Sequence, residues 1–209
     1  MRVLVACEES QAVTKELRRL GHEAYSCDIQ DCSGGHPEWH IRADALEVLK
    51  IRWDMIIAHP PCTYLTCAGA IRLYNKDHSI ADPARYQKGL DAAAFFMEIW
   101  RNPCPRVAIE NPRPMKVFNL PRYSQVIEPY MFGDPWRKRT CLWLRGLPPL
   151  IQTEAAEVPR GLWVGATSKH RDPTVDQRYE LPGNRSAKRR SKTFPGIAKA
   201  MAEQWAGKA

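Results

Sequence analysis

The feature that most constrains the fold is the alternation of short apolar runs with stretches of helical periodicity as far as residue 110. Four apolar runs predict buried strands, at 2–7, 22–27, 53–58 and 106–110. Three further stretches predict helices, at 8–20, 45–50 and 83–100. Because strands that alternate with helices pair in parallel, the sequence predicts an α/β fold with a doubly wound, mostly parallel sheet.

The rest of the chain predicts loops, one more strand and a final helix. Segments 29–43 and 63–82 have no clean periodicity and are expected to be loops. A further strand is predicted at 141–144 and a helix at 194–205. We expect one domain over residues 1–209, with an irregular extension or small insertion at 145–185 and a basic turn plus closing helix at 186–209.

The positive charge of the chain is concentrated in its last part. Residues 1–120 hold 15 Lys and Arg against 15 Asp and Glu, whereas residues 121–209 hold 16 against 8, which accounts for the net charge of +8. A neutral first part and a basic last part predict one surface that binds an anion, with nucleic acid as the leading candidate. The alternative is a solvated basic tail.

Composition excludes several other classes of protein. A chain of 209 residues with 44% hydrophobic residues can bury a core, and its longest apolar candidate run, 92–97, is far short of the roughly 18 residues of a membrane helix. The N-terminus has no secretory signal, so we expect a cytoplasmic protein whose 7 cysteines are reduced thiols. The cluster of Cys27, Cys32, His36 and His40 has no C-x-x-C spacing, so no metal site is predicted.

Polar residues follow each predicted strand, where a doubly wound sheet binds its ligand. An acid after the second strand, Asp28, is suited to accept hydrogen bonds from a ribose diol, although it could simply cap a turn. The turn after the first strand, Cys7-Glu-Glu-Ser-Gln-Ala12, contains no glycine and offers no close backbone approach to a pyrophosphate. A cofactor without phosphates, such as S-adenosylmethionine, fits this turn better than NAD.

Cys62 follows one predicted strand directly after Pro61, and Glu110 ends the next predicted strand two residues before Pro112. A thiolate and a carboxyl group so placed suit attack on an electron-poor ring such as cytosine. The thiolate would add at C6 while the carboxyl group gives a proton to N3, so we expect Glu110 to have a raised pKa in a dry pocket. A cationic side chain near O2 would stabilise the developing charge.

Three segments resemble, in order and rough spacing, motifs of the DNA cytosine-C5 methyltransferases. They are His59-Pro-Pro-Cys62, Ile109-Glu-Asn-Pro112 and Arg137-Lys-Arg-Thr-Cys-Leu-Trp-Leu144. The segment Arg190-Ser-Lys-Thr-Phe-Pro-Gly-Ile-Ala198 is similar to the last motif of that family, a turn and helix that close the cofactor pocket. Over residues 2–144 and 183–205 the chain looks most like the short methyltransferase-like proteins of phages and prophages.

This resemblance implies a Rossmann-like, S-adenosylmethionine-dependent methyltransferase fold and transfer of a methyl group to C5 of cytosine in DNA. It implies that Cys62 is the nucleophile and Glu110 the partner of N3, with Arg139, or else Arg137, near O2. The residues implied to line S-adenosylmethionine are Glu8, Ser10, Asp28, Asp44 and Pro60.

The chain departs from the family pattern in several places. The family has a Phe-x-Gly-x-Gly turn where this chain has Ala-Cys-Glu-Glu-Ser, and Thr63 and Pro112 stand where Gln and Val are usual. Segment 145–185 stands where the family has a much larger target-recognition domain. We therefore expect weak or absent sequence specificity.

The implied DNA-binding residues are mostly basic. They are Arg137, Lys138, Arg139, Lys188, Arg189, Arg190 and Lys192. Trp136, Trp163 and Tyr179 are candidates to stack on bases, while both tryptophans are equally expected in the core. An enzyme that acts on C5 must flip the base out of a duplex or take it from a single strand.

Two alternative functions remain open. One is a catalytically silent nucleic-acid-binding protein of the same fold. The other is a related modification, at C5 of a free nucleotide or at an amino group of a base. Amino-methylating enzymes have an Asp/Asn-Pro-Pro-aromatic motif, and His59 stands where their acid or amide would be. His59 is expected either to help move a proton or to hydrogen-bond the strand end.

Overall fold

The computed structural model of the chain describes residues 1–157 and 191–209. Its central element is a seven-stranded sheet with strands in the order β3-β2-β1-β4-β5-β7-β6. The strands are β1 (Arg2–Ala6), β2 (Glu23–Asp28), β3 (His40–Arg42), β4 (Met55–Ala58), β5 (Val107–Asn111), β6 (Gln125–Ile127) and β7 (Thr140–Arg145). The helices are α1 (Ala12–Arg19), α2 (Ala45–Val48), α3 (Pro83–Arg101) and α4 (Pro195–Trp205).

The first five strands are parallel, and the last two are antiparallel to their neighbours. Strand β1 pairs in parallel with β2 on one side and β4 on the other, and β5 pairs in parallel with β4. Strand β7 runs antiparallel to β5 and β6. The predicted doubly wound, mostly parallel α/β fold is therefore confirmed.

Helices cover both faces of the sheet because successive side chains of each strand point to opposite sides. Val3 and Val5 of β1 lie in a core with Leu17 of α1 and Met201 of α4. Leu4 and Ala6 lie on the other face, in a core with Phe96 of α3. Burial on both faces explains why the central strands are continuous apolar runs.

Two short strands lie where no strand was predicted. Segment 29–43 was expected to be a loop, yet it contains β3, and β6 lies between two predicted elements. Each is only three residues long, and each contains polar residues such as His40 and Gln125. Pairing with β2 and β7 determines these strands, because neither has an apolar pattern of its own.

Segment 63–82 is more ordered than the predicted loop. A 3-10 helix spans Cys67–Arg72, and Leu65 and Leu73 are fully buried in a third core beside Phe118. Backbone bonds join Met115 N to Leu65 O at 2.7 Å and Cys67 N to Arg113 O at 3.0 Å. The segment that follows β4 is thereby fastened to the segment that follows β5.

The helix predicted at 8–20 begins later than expected, since residues 8–11 form a turn and α1 starts at Ala12. Of the predicted extension at 145–185, residues 158–185 lie outside the described residues. The first part of the predicted basic turn, 186–190, lies outside them as well. Among the helices of residues 1–157 and 191–209, none combines the length and apolar character needed to cross a membrane.

The contact between Gly89 of α3 and Phe118 gives a test of the third core. A Cβ at position 89 would lie 2.1 Å from the ring of Phe118, so G89A should lower the free energy of unfolding by about 1–3 kcal/mol despite the better helix propensity of alanine. Urea unfolding measures this loss. The penalty should largely disappear in an F118L background, and an equal penalty in both backgrounds would contradict the contact.

Candidate functional site

The candidate site lies at the ends of β4 and β5. The parallel register pairs Ala58 with Ile109, so His59 and Glu110 are the next residues on the two strands. His59 Nδ1 lies 3.2 Å from Glu110 Oε2, and the two side chains are 8% and 13% exposed. Asn111 Nδ2 donates to Pro60 O at 2.8 Å. Two buried polar contacts therefore hold the two strand ends together.

Cys62 lies three residues beyond His59, after two prolines that stiffen the chain. Its carbonyl oxygen accepts backbone N–H groups from Leu65 at 3.1 Å and Thr66 at 3.2 Å. The residue is partly exposed. Its backbone is therefore fixed just outside the junction of His59 and Glu110, in a position open to solvent.

Glu110 does not have the raised pKa that we expected. Burial by itself raises the pKa of this carboxyl group, but the net effect is a pKa below its ordinary value. The hydrogen bond and charge of His59, the charge of Lys138 and the hydroxyl of Thr140 together outweigh burial. Glu110 is therefore a carboxylate at neutral pH in the resting protein, because donors from both β4 and β7 surround it.

The three cations of the basic segment before β7 differ in their exposure and in the groups that they contact. Arg137 and Arg139 are exposed, and Lys138 between them is partly buried. Arg139 Nε lies 3.8 Å from Glu128 Oε1 with the arginine side chain 80% exposed, and Arg137 lies over the ring of Tyr130. Lys138 is the cation of this segment whose charge acts on Glu110. The expected roles of Arg139 and Arg137 stay predictions. The effect of its charge on Glu110 favours Lys138, whose Nζ lies 5.9 Å from the centre of the Phe194 ring.

Two of the predicted cofactor residues lie together around Cys7. The charges of Asp28 and Asp44 both act on the Cys7 thiol, whose pKa is raised mainly by burial and further by these carboxylates. Asp28 Oδ1 accepts from Gln30 N at 2.9 Å, and Asp44 Oδ1 accepts from Leu46 N at 2.9 Å as the N-cap of α2. One carboxylate oxygen of each aspartate therefore accepts a hydrogen bond from a backbone N–H two residues further along the chain.

Glu8 has a structural task that competes with its predicted contact to the cofactor. Its carboxylate accepts from Val13 N at 2.7 Å and from the backbone and hydroxyl of Thr14 at 3.3 and 2.7 Å. The residue is only 3% exposed. Glu8 therefore caps α1, where Gln11 at the N-cap position makes no side-chain capping bond.

The glycine-free turn after β1 is held by Gln11. Cys7 and Gln11 both have left-handed backbones, with φ of 59° and 56°. The amide of Gln11 donates to His36 O at 2.7 Å and accepts from His36 N at 3.1 Å. Ser10 is partly exposed in this turn, and its carbonyl lies against Gly34. Sequence reasoning missed Gln11, because a buried glutamine has no recognisable local pattern.

The predicted nucleic-acid residues are only partly described. Lys192 Nζ donates to Ser33 Oγ at 3.0 Å, so this lysine contacts the loop between β2 and β3. Trp136 is partly exposed. The other predicted residues lie outside the described residues, namely Trp163, Tyr179, Lys188, Arg189 and Arg190.

No protein-family model matches the chain, and a search of curated proteins gives no match. Among solved structures, the chain is similar to a protein described as a DNA modification methyltransferase encoded within a prophage of E. coli, with 16% identity and a TM-score of 0.42 over 68% of this chain and 45% of that one. It is also similar to the Entamoeba histolytica methyltransferase EhMeth, with 15% identity and a TM-score of 0.45 over 74% and 57%.

A third similar structure is the S. pombe Dnmt2 methyltransferase, with 12% identity and a TM-score of 0.38 over 71% of this chain and 51% of that one. The chain spans about half the length of these solved structures.

Glu8 should make the stability of the protein depend on pH. Burial, partly offset by the charge of His59 and the bonds to α1, raises its pKa above the ordinary 4.5. A carboxyl group whose pKa is raised by folding stabilises the fold below pH 4.5, and this contribution is lost as pH rises through the folded pKa. E8Q should therefore become more stable relative to the unmutated protein as pH rises.

Urea unfolding of both proteins at a series of pH values measures this change. E47Q is a suitable control, since the Glu47 side chain is 67% exposed. Parallel stability profiles for E8Q and the unmutated protein would contradict the assignment.

Proposed function

We propose that this protein transfers a methyl group from S-adenosylmethionine to C5 of cytosine in DNA through a covalent bond between Cys62 and C6. The observation that carries this proposal is the junction of β4 and β5. The Pro-Pro-Cys turn and the Glu110 carboxylate belong to adjacent parallel strands, and buried polar contacts join their ends. The resemblance of both segments to cytosine-C5 methyltransferase motifs points to the same reaction.

The residues around Cys7 fit the proposed cofactor. Asp28 and Asp44 each bond a backbone N–H through Oδ1, and we assign Oδ2 of each to hydroxyl or amino groups of the ligand. The charges of both carboxylates act on the Cys7 thiol at the carboxyl edge of the sheet, where doubly wound folds bind ligands. When bound, S-adenosylmethionine supplies an electrophilic methyl group.

Cys62 and Glu110 have complementary tasks in the proposed reaction. The Cys62 thiolate adds to C6, and the displaced electron pair makes N3 basic. Glu110 holds N3 and the exocyclic amine, and a proton passes to N3 as the sulfur–carbon bond forms. Once C5 has gained the methyl group, loss of the C5 proton to solvent allows the thiolate to leave C6.

We assign the cation of the site to Lys138 in place of Arg139 or Arg137. Its charge lowers the pKa of Glu110, and its Nζ lies 5.9 Å from the centre of the Phe194 ring. A partly buried ammonium group is screened less by salt than an exposed guanidinium group, so Lys138 is better placed to stabilise charge on the ring. Arg137 and Arg139 are exposed and suited to phosphate contacts.

Methylation is tested by incubating the purified full chain with S-adenosylmethionine and unmethylated duplex or single-stranded DNA. Mass spectrometry of the digested nucleosides should show cytidine heavier by one methyl group, and C62A should abolish it. C32A is a matched control, because Cys32 is also partly exposed and lies after β2. If the unmutated protein binds DNA but modifies no base, a silent nucleic-acid-binding protein becomes the better interpretation.

The two candidate cations are separated by K138M and R139M. K138M should lower the methylation rate at saturating DNA by about 10–100-fold, because it removes a charge beside the reacting ring. R139M should mainly weaken DNA binding and reduce its salt dependence, because an exposed arginine is suited to phosphate contact. The rate and the DNA affinity are measured at several salt concentrations, and the opposite ranking would return the catalytic role to Arg139.

A further inference from the structure

His59 is a buried titratable group that the proposed roles of Cys62 and Glu110 leave unused. Its side chain is 8% exposed, and Nδ1 contacts Glu110 Oε2 at 3.2 Å. In the described part of the chain, Nε2 is buried and has no hydrogen-bond partner. A buried polar atom without a partner calls for an explanation, and the contact at Nδ1 does not give one for Nε2.

The surroundings of His59 contain acids on two sides. Glu110 lies on β5, and Glu8 follows β1, and the positive charge of His59 lowers the pKa of both carboxyl groups. The oxygens of Glu8 are used by Val13 and Thr14, so Glu110 is the direct hydrogen-bond partner of the ring. Thr140 of β7 hydrogen-bonds Glu110, the charge of Lys138 also lowers the pKa of Glu110, and Cys62 follows His59 by three residues.

Because Glu110 is ionised, another group must supply the proton that N3 receives. A carboxylate cannot protonate N3, so the proton must reach Glu110 during the reaction. Of the side chains that hydrogen-bond Glu110, Thr140 offers a hydroxyl proton that is far too weakly acidic, whereas an imidazolium ring gives up its proton near neutral pH.

We propose that His59 is a positioning residue that orients Glu110 through Nδ1 and passes it the proton that cytosine N3 receives. This inference rests on the proposed function and deepens it. The relay requires a ring that is protonated on both nitrogens before the reaction and that shares its Nδ1 proton with the Glu110 carboxylate. As Cys62 Sγ bonds to C6, the Nδ1 proton moves to Glu110 and a proton moves from Glu110 to N3, which leaves a neutral imidazole. When the thiolate leaves C6, N3 returns its proton and His59 is recharged.

Two substitutions at position 59 separate orientation from proton transfer. H59N keeps an amide N–H near the position of Nδ1 but cannot carry a proton, whereas H59A loses both. In both variants the methylation rate at saturating DNA and cofactor should fall by about 100-fold at neutral pH, with little change in KM. The ratio of unmutated to H59N rates should shrink towards acid pH, because Glu110 then takes its proton from solvent.

A rate for H59N within about threefold of the unmutated protein, with H59A slow, would overturn the relay and leave only an orienting hydrogen bond. H36N is the matched control, since His36 Nδ1 also lies 3.1 Å from a glutamate, Glu38, but both side chains are exposed. Thermal unfolding of each variant establishes that it is folded.

A second measurement does not depend on activity. Carbon-13 NMR of the Glu110 carboxyl group follows its titration in the full chain, and H59A should raise the midpoint because the hydrogen bond and charge of His59 lower that pKa. H59N should retain part of the lowering. An unchanged midpoint in H59A would overturn the coupling between the two groups. If H59A shifts the Glu110 midpoint as expected but the unmutated protein methylates no cytosine, the proposed function is overturned. The assignment of cytosine N3 as the proton acceptor is then overturned as well.

Discussion

The parallel pairing of β4 with β5 is the constraint on which the candidate site depends. Because Ala58 pairs with Ile109, the next residues along the chain, His59 and Glu110, lie side by side. Their side chains are in contact, with His59 Nδ1 3.2 Å from Glu110 Oε2. A shift of one residue in this register would send one of the two side chains to the opposite face of the sheet. The part of the lowered pKa of Glu110 that comes from His59 follows from this alignment.

Much of the fold could be predicted from the sequence, because buried parallel strands leave a pattern in their own residues. Val3, Ile56 and Ile109 belong to apolar runs that cannot be exposed, so β1, β4 and β5 were predicted close to their observed bounds. Strands β3 and β6 could not be predicted, since three-residue strands depend on hydrogen bonds to neighbours far away in the chain. The packing of 63–82 likewise depends on residues that follow β5.

The candidate site was predictable in its residue types and less so in its electrostatics. The position of Glu110 at the end of a predicted strand indicated a carboxyl group at the sheet edge, but the direction of its pKa shift depends on His59 and Lys138 from other elements. The segment before β7 contains three adjacent cations, and the sequence cannot say which of them faces inward. Exposure alternates along 137–139, so that Lys138 is partly buried with its Nζ 5.9 Å from the centre of the Phe194 ring, and both arginines are exposed.

The turn after β1 has a consequence for how the protein folds. Left-handed backbone at Cys7 and Gln11 is unfavourable for residues other than glycine and persists only where the surroundings compensate for it. Here the compensation comes from His36 and Ser26, which lie 25 and 15 residues further along the chain. The turn is therefore not encoded locally, and it can adopt its final shape only after β2 and the segment before β3 have docked. This edge of the sheet should accordingly be among the last parts of the protein to become ordered during folding.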